Sequence, residues 1–257
     1  MNRLDSFLVE KGYFSSRERA KDAILNGDVF VNKKPAKPSL KVEGNEKIEI
    51  GQVLPYVSRG ALKLEKAIKE FGIALTGKVV LDIGSSTGGF TEICLSFGAS
   101  KVVAVDVGNN QMHEKLKSDS RVALYENTDF RFIESEKLKG VNFIVSDVSF
   151  ISLKNIFPKI TKEFGTQIEG VFLFKPQFEC GPELAKKFKG VIKDKNVHYE
   201  LLDNFCKYLK TLGFKIENLS YSPIAGKSGN IEYLVHIGKN EGKIDIKKTI
   251  ETAFASL

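Results

Sequence analysis

Cysteine is scarce in this chain: Cys94, Cys180 and Cys206 are the only three, and they lie far apart. They form no Cys-x-x-Cys pair and no cluster with metal-ligand spacing. That argues against a disulfide scaffold and a bound metal, and fits a reducing compartment. Long apolar runs are also missing. No window approaches the roughly 20 apolar residues of a membrane span. The opening MNRLDSFLVEKGYF carries charges inside its apolar run, unlike a signal peptide. There is no internal repeat and no low-complexity tract. These absences predict a cytoplasmic protein without a membrane or metal partner.

The chain has 257 residues, of which 42% are hydrophobic. That is enough for one large domain and one small one. The formal net charge is +7 and the isoelectric point is near 9.1. An excess of this sign suits a polyanionic partner such as nucleic acid. A lysine-rich proteome would leave the same mark.

Residues 1–50 read as one α+β unit. Leu4, Phe7, Leu8 and Phe14 outline a short amphipathic helix and the turn after it. Ser15 and Glu18 form a candidate capping box for a second helix, which Asn26-Gly27 should stop. DVFVN and EKIEI alternate as half-buried strands do, with KKPAKP as a turn or loop between them. Residues 51–57 read as a linker. From Ser58 a helix is expected, with Leu62, Leu64, Ala67, Ile68 and Phe71 as its apolar stripe. Strands and helices then alternate to residue 240. The predicted fold class is α/β, a Rossmann-like doubly wound sheet whose last strand is antiparallel. KIENLSYSP and IEYLVHIG should pair as its closing hairpin. Residues 241–257 should form a helix that packs back.

The string LDIGSSTGGFTE departs from the Gly-x-Gly-x-x-Gly of dinucleotide-binding folds. Asp82 precedes Gly84, then Ser85, Ser86 and Thr87, then Gly88 and Gly89. Loop amides and a helix N-terminus there can hold anionic or polar ligand groups. Asp106 ends the second strand, where a carboxylate can take both ribose hydroxyls. Asp129 and Asp147 follow the third and fourth strands. Four carboxylates would repel a pyrophosphate but suit a sulfonium and its ammonium. The electrostatics favour S-adenosylmethionine over NAD. Each aspartate could instead be a helix cap or a strand-end turn.

Four polar residues stand in apolar surroundings: Lys63, Asp147, Lys175 and Glu232. The topology gathers Asp147 and Lys175 at one sheet edge. Lys63 could approach from the first helix and Glu232 from the last hairpin. Methyl transfer to a ribose 2′-hydroxyl needs that oxygen deprotonated and aimed. A lysine serves as base when its pKa falls from about 10 toward 7 or 8. Burial and a second lysine lower it, whereas carboxylates raise it. Lys175 is therefore assigned as the base, and Lys63, Asp147 and Glu232 as groups that position Lys175, the hydroxyl or the sulfonium end. Lys66 and Lys69 compete with Lys63, and spacing leaves that choice open.

Between Lys11 and Lys41 stand eight basic residues, Lys11, Arg17, Arg19, Lys21, Lys33, Lys34, Lys37 and Lys41, against the acidic Glu18, Asp22 and Asp28. Such a surface binds phosphates without reading sequence. Residues 3–50 resemble the alpha-L RNA-binding module shared by a small-subunit ribosomal protein and pseudouridine synthases. Residues 56–238 resemble the FtsJ-type methyltransferases. Their order, with YVSRGALKL, LDIGSSTGGFTE, DVSFISL, KPQFE and GNIEYL, resembles the TlyA family. That resemblance implies a ribosomal RNA 2′-O-methyltransferase using S-adenosylmethionine on cytidine, in one or both ribosomal subunits. It implies a Lys-Asp-Lys-Glu tetrad at Lys63, Asp147, Lys175 and Glu232, which favours Lys63 over Lys66. LPYV stands where actinobacterial members carry a basic-aromatic tetrapeptide, so that linker's role does not carry over. The short amino-terminal module resembles the subtype thought to modify the large subunit alone.

Three other readings compete. A non-catalytic RNA-binding or ribosome-assembly factor would need the module but not the loop or tetrad. A haemolysin, as the family is often labelled, would need a membrane segment that the sequence lacks. An NAD-dependent reductase is disfavoured by the glycine spacing and the acidic site.

Overall fold

Two stretches of sequence bury separate sets of apolar side chains. The chain divides between Arg59 and Gly60 into two compact units. The structure is a computed structural model that describes residues 2–14, 16–25, 27–51, 55–188, 190–226 and 228–257. The side chains of Glu18, Arg19, Asp22, Leu25 and Ala185 lie outside that description, as do Ser15, Asn26 and Leu54. The expected capping box, the Arg19 contact, the Asn26 part of the stop signal and the start of LPYV therefore fall outside it.

In the first unit the strand β1 (Asn2–Arg3) leads into α1 (Leu4–Glu10), and α2 (Arg17–Leu25) follows. Four short strands come next: β2 (Val29–Val31), β3 (Lys34–Pro35), β4 (Lys41–Val42) and β5 (Ile48–Ile50). β2 pairs antiparallel with both β3 and β5, and β1 with β4. Leu4, Phe7, Leu8 and Phe14 are buried in the core, as their periodicity predicts, together with Ile24 and Val29. The β2–β3 hairpin turns on Asn32 and Lys33, both left-handed, with φ of 52° and 63°. This is the sense that matches strand twist, and asparagine tolerates it best. Gly27, at φ +79°, donates its amide to Ile24 O after α2.

The second unit opens on α3 (Gly60–Phe71), two residues later than the sequence suggested. It continues β6 (Val79–Ile83), α4 (Gly89–Ser96), β7 (Lys101–Val105), α5 (Glu114–Lys117) and β8 (Val122–Tyr125). Then come β9 (Phe143–Ser146), α6 (Phe157–Phe164), β10 (Glu169–Phe174), α7 (Pro176–Glu179), α8 (Gly181–Lys187), α9 (Lys195–Thr211), β11 (Lys215–Tyr221), β12 (Tyr233–Gly238) and α10 (Ile246–Ser256). The sheet order is β11-β12-β10-β9-β6-β7-β8. β12 alone runs against its neighbours, inserted between β10 and β11. The antiparallel last strand expected from sequence is thus present, and this is a Rossmann-like α/β sheet. The strands β6, β7 and β9 are apolar almost throughout because both of their faces are covered.

Chain direction across the sheet reverses between β6 and β9, which are neighbours but not consecutive. Crevices at such switch points are where ligands bind in these sheets. Two elements are shorter than their sequence patterns. The helix near His113 is one turn, and the strand through RVALYENTDF ends at Tyr125. The tail folds back as α10: Ile250 and Ala253 are buried, and Phe254 meets His198 edge-on at 5.1 Å. Among the described residues no helix is long and apolar enough to cross a membrane.

A buried polar chain ties α9 to the last strand. His198 Nδ1 lies 2.7 Å from Tyr233 Oη and its Nε2 3.0 Å from Ile192 O. Burial lowers the pKa of His198 below 6.5. The unfolded chain therefore binds the extra proton first as pH falls, so the stability from this histidine is complete above about 6.5 and is lost below it. At pH 7.5 His198→Gln should unfold more easily than wild type by about 1–3 kcal/mol. That gap should narrow at pH 5.5. Thermal melts at the two pH values check this, and an equal gap at both would count against it.

Candidate active site

The glycine turn is built by close approach. Gly84 has φ +84°, and a Cβ on it would stand 3.0 Å from the carbonyl oxygen of Asp147. Only a residue without a side chain lets the end of β6 lie so close to the end of β9. Gly88, at φ +96°, opens α4; a Cβ there would meet Leu116 Cδ1 at 2.3 Å and Met112 Sδ at 2.5 Å. Gly89 is the first residue of α4. The Thr87 carbonyl accepts the His113 amide at 3.2 Å, which ties the turn to the loop after β7.

Asp106 fastens this turn from the neighbouring strand. Its carboxylate accepts the Ser86 amide at 2.8 Å and the Gly108 amide at 2.6 Å. Ser86 is left-handed, with φ 45°, and its hydroxyl donates to Gln111 Oε1 at 3.1 Å. Sequence reasoning missed Glu126, which accepts amides from Asn110, Gln111 and Met112 at 2.7, 2.8 and 3.2 Å. Burial works against its charge, yet the three amides and Lys117 hold its pKa below the ordinary value. The strand-end carboxylate rule could have found it, since it directly follows β8. That rule selected Asp129, three residues later.

Asp129 is occupied by its own turn. It caps the 3-10 segment Phe130–Phe132, and the Arg131 guanidinium pairs with both carboxylate oxygens, lowering its pKa. Asp82 lies beneath the glycine turn rather than on its surface. It is fully buried, and Thr91 Oγ1 donates to its Oδ2 at 2.6 Å. Burial pushes its pKa up to about 7. Its Oδ1 and the buried Ser85 hydroxyl have no hydrogen-bond partner among the described residues. Two unsatisfied buried polar atoms, a glycine turn and a half-exposed carboxylate at the second strand fit a polar, nucleoside-bearing ligand.

The four tetrad residues come together. Asp147 and Lys175 end the adjacent parallel strands β9 and β10. Phe174 faces Tyr233 across the antiparallel pair β10–β12, which sets Glu232 opposite Lys175. Glu232 sits just before β12, in the connection of the β11–β12 hairpin. Lys63 is one turn before Ala67 on the buried face of α3. Lys63 Nζ lies 2.7 Å from Glu232 Oε2 and 3.6 Å from Asp147 Oδ2. Lys175 Nζ lies 2.6 Å from Asp147 Oδ1 and donates to Ser149 Oγ at 2.8 Å.

Burial opposes charge on Lys63, but Asp147 and Glu232 outweigh it and raise its pKa. Burial likewise opposes charge on Asp147, and the two lysines outweigh it and lower its pKa. Lys63 is thus held as a cation between two carboxylates. Lys175 has one carboxylate and a hydroxyl. The competing lysines are engaged elsewhere. Lys66 donates to Tyr221 O at 2.7 Å, and Lys69 pairs with Glu65 at 2.6 Å.

In the first unit Lys11, Arg17, Lys21, Lys33, Lys34, Lys37 and Lys41 are all exposed. Arg17 also pairs with the buried Asp5 at 3.3 Å. The hydrogen bond from Arg3 does most to draw Asp5 down to about 2, against its burial.

Both parts of the chain match known families. Residues 2–48 match the S4 domain, and residues 56–239 match the FtsJ-like methyltransferase model. The chain is 45% identical to Hemolysin A of Brachyspira hyodysenteriae, over 91% of this chain and 98% of that protein. It is 39% identical to the 23S rRNA (cytidine-2′-O)-methyltransferase TlyA of Campylobacter jejuni, again over 91% and 98%. A solved hemolysin-designated structure from Streptococcus thermophilus superposes with TM-score 0.78 and 36% identity, covering 99% of this chain and 96% of that one. With an S4 domain ahead of an FtsJ-like methyltransferase domain, the chain belongs to the TlyA family.

Proposed function

We propose that this chain is an S-adenosylmethionine-dependent methyltransferase acting on the 2′-hydroxyl of cytidine in ribosomal RNA. The observation that carries the reading is the tetrad beside the glycine turn, with its two lysines in unlike settings. Lys63 has a carboxylate on two sides and serves as a fixed cation. Lys175 has Asp147 on one side and a neutral hydroxyl on another. Lys175 is the general base that takes the proton of the ribose hydroxyl. Asp147 orients both lysines, and Glu232 holds Lys63.

The cofactor supplies an electrophilic methyl on a sulfonium. Ser85, Ser86, Thr87, Gly88 and Gly89 would line its amino-acid end with amides and hydroxyls. Asp106 would take the ribose hydroxyls with the lone pairs left over from Ser86 and Gly108. Asp82 supports the turn from below through Thr91, and Asp129 could join only if Arg131 released it. Neighbouring carboxylates favour a cationic ligand over a pyrophosphate.

Exposed Lys11, Arg17, Lys21, Lys33 and Lys34 in the S4 unit supply phosphate contacts, and Arg19 belongs to the same basic run. Cytidine as target rests on the relative from Campylobacter jejuni, whose name specifies it. A ribosomal substrate and free, buried cysteines support a cytoplasmic location.

Methyl transfer to ribosomal subunits should fall at least about 100-fold in Lys175→Ala. Lys175→Arg should be as poor, because a guanidinium keeps its proton. Equal activity in either variant would remove Lys175 from the mechanism. Asp106→Ala should weaken S-adenosylmethionine binding at least about tenfold in calorimetry. An unchanged affinity would count against that assignment. In filter binding to ribosomal RNA, Lys21→Gln with Lys34→Gln should reduce the salt slope by about 2. An unaltered slope would move the RNA contact elsewhere.

A further inference from the structure

The loop after β9 carries a second residue at the reacting lysine, one that lies outside the tetrad. Lys175 is 7% exposed, and its Nζ has two polar partners among the described residues, Asp147 Oδ1 at 2.6 Å and Ser149 Oγ at 2.8 Å. A neutral lysine amine keeps two N–H bonds and one lone pair, arranged tetrahedrally. With one acceptor, the second N–H and the lone pair can exchange places by rotation about the Cε–Nζ bond. Ser149 Oγ takes one N–H as a hydrogen bond and the Asp147 charge, 2.6 Å away, draws the other, so the lone pair is left the remaining direction.

We propose that Ser149 is a positioning residue for methyl transfer, whose hydroxyl, together with Asp147, aims the Lys175 lone pair at the incoming ribose hydroxyl. This rests on the assignment of Lys175 as the base. As the proton moves, the ribose O–H bond breaks and an N–H bond forms on Nζ. The amine becomes an ammonium, and the O–H electron pair stays on oxygen for its attack.

The local structure is organised around that contact. Ser149 is exposed, and among the described residues its hydroxyl makes only this hydrogen bond. The next residue, Phe150, has φ +64° and is 92% exposed. A bulky aromatic in the left-handed region is an outlier that persists only where its surroundings impose it. The surroundings here belong to α7, the helix that Lys175 leads. Glu179 accepts the Leu153 amide at 2.7 Å and the Ser152 hydroxyl. The Phe150 and Phe178 rings meet at 5.1 Å. Two clamps therefore join the segment carrying Ser149 to the segment carrying Lys175, one at the strained residue itself and one just after it.

Ser149→Ala and Ser149→Thr should be compared with wild type on ribosomal subunits, with kcat and KM measured separately and S-adenosylmethionine affinity taken by calorimetry. In Ser149→Ala, kcat should fall about tenfold, the worth of one neutral hydrogen bond, with KM for RNA and cofactor affinity unchanged. Ser149→Thr keeps the hydroxyl and should return kcat to within about twofold of wild type. The proposal is overturned if Ser149→Ala keeps wild-type kcat, if Ser149→Thr is as slow as Ser149→Ala, or if cofactor affinity falls with activity. A wild-type chain that transfers no methyl to ribosomal RNA would overturn the base assignment itself. Activity lost in Lys175→Ala but intact in Ser149→Ala would overturn this inference alone.

Discussion

Asp147 holds two buried lysine side chains, Lys63 on one oxygen and Lys175 on the other. Each lysine alone would lose its charge to desolvation or leave the interior. Together without Asp147 they would add repulsion between like charges. Removing one partner of a buried pair typically costs about 3–5 kcal/mol, because the remaining charge is left uncompensated. The carboxylate is therefore as much a condition for the sheet edge to close as a part of the chemistry. It also brings the termini of β9 and β10 together with α3, and its backbone carbonyl is what Gly84 packs against.

The glycine turn depends on the same close approach and on a second layer of carboxylates. Asp106 and Glu126 accept backbone amides rather than pairing with distant cations. That keeps two loops shaped around the crevice at the switch point. Such preorganisation matters for a reaction in which the geometry of attack supplies much of the rate. Acidic side chains at strand ends thus split into two kinds of work. Some build the loops, as Asp82 does through Thr91 and Asp129 through its own cap. Others, like Asp106, do so while still facing the crevice.

Much of this was legible in the sequence. Alternation of apolar strands and amphipathic helices specifies the class of sheet, because a strand buried on both faces must be apolar throughout. Lys175 stood out because FLFK leaves its stem no polar surface to lie along. Lys63 did not separate from Lys66 by pattern alone. All the lysines of that helix share its period, and the partners that tell Lys63 from Lys66, Glu232 and the Tyr221 carbonyl, are 150 or more residues away along the chain. Glu126 and Ser149 passed unnoticed for a similar reason. A strand-end glutamate and an exposed serine look ordinary until the backbone amides or the amine they meet are in place.

By itself the sequence determined the order of elements, the glycine turn and the kinds of side chain available at the sheet edge, since these follow from local periodicity and backbone sterics. Tertiary structure alone decided which of them meet. The reversal of β12 put Glu232 opposite Lys175, and the Gly84 contact brought the turn under Asp147. It also decided the unlike settings of the two lysines. Charge state in a buried site depends on distances of a few ångströms between groups far apart in the chain, and no local pattern encodes those distances.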